Sequence, residues 1–226
     1  MRWDDSAGAR IWDLPTRLFH WMLVLLVLIA WRSAEQRDIS LHILAGSGIA
    51  GLLVFRVWWG FFGSTTARFA NFLKGPGAVF AYARSLRTHR DPEFGHNPLG
   101  GWSVAGLLLC LLALTGFGLF ASDVDGLDSG PYSDLVDFDA SRLASHLHAL
   151  SFDGLEILVA LHLCAILFYH LVKRHKLVHA MLTGRHPGSS GENGFRPGSR
   201  PMLLIGAALG LAVTLILARH GGVLRF

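Results

Sequence analysis

Five stretches of this 226-residue chain are apolar for long enough to cross a lipid bilayer, and no other feature constrains the fold as strongly. They run from Leu14 to Trp31, Ile39 to Phe62, Leu99 to Ala121, His146 to Val172 and Met202 to Ala218. About 20 mostly apolar residues span the hydrocarbon core, where an unpaired peptide group finds no water to bond, so each run is expected to be helical. With 52% hydrophobic and 16% charged residues, the chain is far too apolar for an ordinary soluble domain. The expected fold is therefore an all-α integral membrane protein of about five spans, with no length left for a second globular domain. The first run is read as a retained helix rather than a secretory signal. Asp4, Asp5 and Asp13 precede or open it, and His20 sits inside it.

Charge placement sets the expected orientation, because short cytoplasmic segments carry the excess of Lys and Arg. Residues 1–17 hold Arg2, Arg10 and Arg17; residues 63–98 hold Arg68, Lys74, Arg84, Arg87 and Arg90; residues 173–200 hold Lys173, Arg174, Lys176, Arg185, Arg196 and Arg200. The opposite side has only Arg32, Arg37, Arg142, Arg219 and Arg225, and its long loop carries Asp123, Asp125, Asp128, Asp134, Asp137 and Asp139. The expectation is a multi-pass protein of the bacterial inner membrane with a cytoplasmic N-terminus. The net charge of +4 expresses this asymmetry, so nucleic acid is not an expected partner. The acidic loop is a solvated loop or a dock for a basic protein.

Cys110 and Cys164 are single thiols inside expected helices, and no CxxCH occurs. Covalent haem attachment and a thiolate iron–sulfur site are unsupported. Pro187 to Ser199 reads as a flexible linker before the last helix.

The chemistry lies in the histidines. Of 12, His20, His42, His148 and His162 fall within or at the ends of apolar runs, where an ionisable side chain is costly and is a functional candidate. His148 and His162 are 14 residues apart, about 1400° and thus about 40° short of four turns, so they share one helix face about 21 Å apart. That spacing suits two haems stacked across the membrane, each needing a second imidazole at matching depth. Helix direction supplies the partners: His42 with His148 for an outer haem, and His20 with His162 for an inner one. His146 competes with His148, although at 16 residues from His162 it points about 160° away on an ideal helix. His170 suits a solvated or propionate-binding role, and His89, His175, His179, His186 and His220 are expected at the surface. Arg56, 14 residues after His42, either pairs with a haem propionate or snorkels to the headgroups, and Arg17 has the same two readings. Gly46, Gly48, Gly116 and Gly118 would let a macrocycle or a neighbouring helix approach.

Several motifs then resemble a known family. RIWDLPTRLFHW from Arg10, LHILAG from Leu41, FRVWWG from Phe55, HNPLGGW from His96, LHL from Leu161 and AMLTGR from Ala180 are similar to prokaryotic cytochrome b561. The likeness is strongest to the branch that includes the cytochrome b subunits of nickel–iron hydrogenases, and it runs from about residue 10 to 185. The resemblance implies a four-helix transmembrane haem-binding bundle over residues 1–185, with residues 186–226 adding a linker and a fifth helix outside the pattern. It implies bis-histidine ligation of two haem b groups and electron exchange with membrane quinone. His20, His42 and His162 match the family's motifs, while SHLHAL leaves His146 and His148 both open as the fourth.

The expected function is transfer of electrons between quinone and a redox partner protein, such as a hydrogenase, a dehydrogenase or a c-type cytochrome. His96 and Asn97, at the start of the third long helix, are candidate quinone contacts, with helix capping the alternative for Asn97. Two other classes fit parts of the pattern: a self-contained superoxide:quinone oxidoreductase, and a haem-free, histidine-lined metal transporter.

Overall fold

The computed structural model describes residues 9–85, 95–125, 128–186 and 194–224. Arg2, Asp4, Asp5, Arg87, His89, Arg90 and Arg225, with linker residues 187–193, lie outside the described residues, as does the side chain of His186. Eight α-helices are described: α1 (Leu14–Glu35), α2 (Ile39–Phe62), α3 (Phe69–Phe72), α4 (Pro76–Ser85), α5 (Pro98–Phe120), α6 (Phe138–Leu171), α7 (Leu177–Thr183) and α8 (Arg200–His220). Five of them, α1, α2, α5, α6 and α8, are long and apolar enough to cross a membrane. The chain is an all-α, multi-pass membrane protein. Among the described residues, a two-residue antiparallel ladder pairs β1 (Ala9–Arg10) with β2 (Arg185–His186), and Ser122 and Ser129 form an isolated bridge.

Helix ends follow local chemistry. Asp13 precedes α1, where its Oδ1 accepts from the Thr16 N–H at 2.9 Å and its Oδ2 accepts from Trp59 Nε1 at 2.9 Å. One carboxylate thus satisfies an orphan helix donor and a buried indole. At its other end α1 closes with Arg37 at φ 57°, with Asp38 N–H bonding Ser33 O and Arg37 N–H bonding Ala34 O. This is the reverse-turn cap that normally recruits glycine. Asp38 immediately caps α2 through the Leu41 N–H, so two long helices reverse within a tight turn.

α6 has 34 residues, about 51 Å, which exceeds the hydrocarbon thickness. It begins at Phe138, eight residues before the apolar run at His146, because Asp137 caps it at the Ala140 N–H and its first two turns are polar. An apolar-run criterion does not register such turns.

The chain divides into two compact units. The first comprises Met1–Leu18, Trp58–Gly106 and Leu158–Leu203. Here Ile11 and Trp12 pack with Ala180 and Met181. Thr66 Oγ1–H donates to Ile11 O, and Trp58 Nε1–H donates to Met202 O at 2.8 Å.

The second unit comprises Phe19–Val57, Leu107–Ile157 and Leu204–Phe226. Within it α2 and α8 touch backbone to backbone: a Cβ added at Gly51 would lie 2.4 Å from Gly210 O, and one at Gly210 would lie 2.6 Å from Gly51 O. Close approach at small residues replaces the hydrophobic drive that lipid removes. Gly48 lets α2 meet Leu26 of α1 in the same way.

Candidate functional site

The second unit holds a cavity of about 260 Å³, near the lower end of the range of about 300–1,000 Å³ usual for ligand sites. α1 contributes Val27 and Ala30, α2 contributes His42 and Gly46, and α5 and α6 contribute Gly118 and His148. Pro131, in the loop after α5, closes one side. The walls are apolar apart from the two imidazoles and a few hydroxyls.

His42 and His148 face each other across this cavity with ring centroids 6.1 Å apart and planes at 83°. His42 Nδ1 lies 2.9 Å from Ala30 O, and His148 Nδ1 lies 2.8 Å from Leu114 O. A carbonyl oxygen can only accept, so both Nδ1 atoms carry protons and each Nε2 keeps its lone pair for a metal. A metal–nitrogen bond of about 2.0–2.1 Å, with about 1.1 Å from nitrogen to ring centre, puts two ligating imidazoles about 6.2 Å apart by centroid. The observed separation fits one metal ion held by both rings.

The donor set also discriminates between ligands. Among the described residues no group of three or more His, Cys, Asp or Glu side chains converges. A bare transition-metal ion wants three or four protein donors, whereas a haem brings four ring nitrogens and needs only an axial pair. The pair fits haem.

Glycines complete the pocket. Gly46 has no atom within 4 Å of an added Cβ, which leaves open space on the cavity side of α2. At Gly118 a Cβ would come within 2.9 Å of His148 Nδ1, so this position can carry no side chain while the ring stays in place. Gly116 faces open space.

The other candidates are placed as follows. His146 is exposed, and because α6 is regular from Phe138 it points away from the cavity that His148 lines. His20, half-buried on α1 in the second unit, stands edge-on to Trp21 at 4.9 Å. His162, half-buried on α6, belongs to the first unit. Arg56 is 3% exposed, so its guanidinium is surrounded by protein rather than reaching out to headgroups. Arg17 donates from Nε to Met181 O at 3.2 Å and from Nη2 to Leu182 O, binding the last carbonyls of α7. This capping role was not among the readings of the sequence, because the carbonyls lie 164 and 165 residues away along the chain.

Asn97 Oδ1 accepts the Gly100 N–H at 2.7 Å and caps α5, while its Nδ2 donates to Tyr169 OH at 2.7 Å. Tyr169 OH in turn lies 2.8 Å from Tyr82 OH. His96 packs against Trp12 and Phe72 with centroids at 4.5 and 4.8 Å and ring planes tilted by 59° and 46°. His170 and His179 are exposed, His175 packs 6.3 Å from Tyr169, and His220 packs 5.3 Å from Tyr132. The tyrosines gave no signal in the sequence, since a single Tyr in an apolar segment has no distinguishing spacing.

The model of the prokaryotic cytochrome b561 family matches residues 11–184 and ends before α8. Neither a curated protein nor a solved structure matches the chain.

Proposed function

The chain belongs to the prokaryotic cytochrome b561 family of membrane haem b electron-transfer proteins, and from that membership we propose that it relays electrons through two haems between the quinone pool and a redox partner protein. The observation that carries this reading is the His42–His148 pair, with both Nδ1 protons committed to backbone carbonyls and both Nε2 atoms left for iron. Haem bound there supplies a one-electron ferric/ferrous couple. His42 and His148 would hold it through their two Nε2 atoms and leave no position for oxygen, which would favour electron relay. The apolar wall would keep water from a haem held there and, with the Nδ1 hydrogen bonds, would tune how readily it accepts an electron.

A second haem between His20 and His162 rests on the 14-residue spacing along α6 and on the family's motifs. Arg56 is proposed as a propionate partner for it. Arg17 has five N–H donors, of which two are spent on α7, and is proposed as a further propionate contact. His96 and Asn97 are the proposed quinone contacts. The partner protein is a hydrogenase, dehydrogenase or c-type cytochrome. The proposed location is the bacterial inner membrane, with a cytoplasmic N-terminus as the positive-inside rule requires.

The test is an optical spectrum of oxidised, detergent-purified protein before and after a reduced short-chain quinol is added. A b-type spectrum that the quinol reduces and carbon monoxide leaves unchanged is expected. Absence of visible absorption would favour the metal transporter, and a carbon monoxide shift would mean an open axial position. Quinone reduction by superoxide without any partner protein would favour the self-contained oxidoreductase.

A further inference from the structure

The carbonyl that orients His42 is shared. Ser33, 1% exposed in the last turn of α1, donates its hydroxyl to Ala30 O at 3.0 Å, the same oxygen that accepts His42 Nδ1–H at 2.9 Å. Around His148 the arrangement differs. Thr115, the residue next to Leu114, turns its hydroxyl back to Leu111 O and Leu112 O, so Leu114 O meets the ring with only its helix N–H beside it. The two axial ligands of one site are thus anchored on carbonyls of unequal strength.

We propose that Ser33 is a positioning residue that raises the reduction potential of the haem between His42 and His148 by sharing the Ala30 carbonyl with His42. The proposal rests on the reading that haem occupies this cavity. Ala30 O already accepts the Ala34 N–H of its own helix, and each further donor on one carbonyl oxygen drains electron density from the other bonds. The stronger the Nδ1–H···O bond, the more anionic the imidazole becomes and the more it stabilises ferric over ferrous iron. Ser33 weakens that bond at His42. Because the hydroxyl is buried and bonds a carbonyl within its own helix, no loop, solvent or partner is needed for the effect.

The experiment is a spectroscopic redox titration of the full chain, comparing wild type with Ser33→Ala. A His148→Ala background identifies which titration step belongs to this haem, since that step disappears there. Alanine is the better helix former, and Ala30 O keeps its bond to His42, so the substitution orphans no acceptor. Ser33→Ala is expected to lower the potential of this step alone, reducing the ferrous-to-ferric ratio at fixed potential by about two- to tenfold, where tenfold is about 59 mV for one electron. Ser33→Cys, similar in volume but a weak donor, should fall between the two and serves if the alanine variant fails to assemble. Ser85→Ala removes an equivalent back-bond, to Tyr82 O at 3.0 Å on α4, and should shift nothing.

An unchanged or raised potential at full haem content, or equal shifts of both steps, would overturn the role of Ser33. If His42→Ala and His148→Ala leave the wild-type haem content intact, the haem reading of the cavity itself has failed.

Discussion

Gly118 shows how little freedom the His148 ring has. A methyl group at this position would sit 2.9 Å from Nδ1 and 3.0 Å from Cε1, so the ring would have to leave its bond to Leu114 O. Gly118→Ala is therefore expected to weaken haem binding at the His42–His148 site by about 10- to 100-fold, the usual cost of disturbing a ligand's supporting hydrogen bond. Haem content measured along a dilution series checks this. Full occupancy at every dilution would show that the ring has room the structure does not provide. At this scale the sequence was legible where identity and spacing carry meaning: it singled out His42 and His148, whose rings stand 6.1 Å apart. The acceptors Ala30 O and Leu114 O were not legible, because any residue offers the same backbone oxygen and only the fold selects which one meets a ring. The contacts of Arg17 to Met181 O and Leu182 O were not legible for the same reason: they are main-chain carbonyls of a helix remote in sequence.

Among the helices, periodicity and apolar length located all five long elements, since a bilayer leaves a long apolar run no other structure. The short α3, α4 and α7 were not foreseen. They are 4, 10 and 7 residues long, below the length at which an isolated helical pattern rises above background. α8 lies beyond the family match yet packs on α2 through Gly51 and Gly210, which makes it part of the second unit and not a loose tail. At 21 residues it is about 31 Å long, enough to cross the hydrocarbon core. A topology reporter fused after Arg185 is expected to read as cytoplasmic and one fused after Phe226 as periplasmic. Two cytoplasmic signals would make α8 a helix that turns back, and a periplasmic signal after Arg185 with a cytoplasmic one after Phe226 would reverse the charge-based orientation.

For the whole molecule, the central claim is two haems per chain, one of them held by a pair of side chains on different helices. The proposal of two sites rests on the 14-residue spacing on α6, and His42 and His148, with ring centroids 6.1 Å apart, are the proposed ligands of one of them. The most direct measurement is haem per chain, by acid–acetone extraction and absorbance, for wild type, His42→Ala, His148→Ala, the double variant and His146→Ala. The account predicts two extractable haems in wild type and in His146→Ala. It predicts about one in each single variant and still about one in the double, because both residues hold the same haem. A wild-type value of one, haem that resists extraction, or a double variant with none where each single variant keeps one would contradict it.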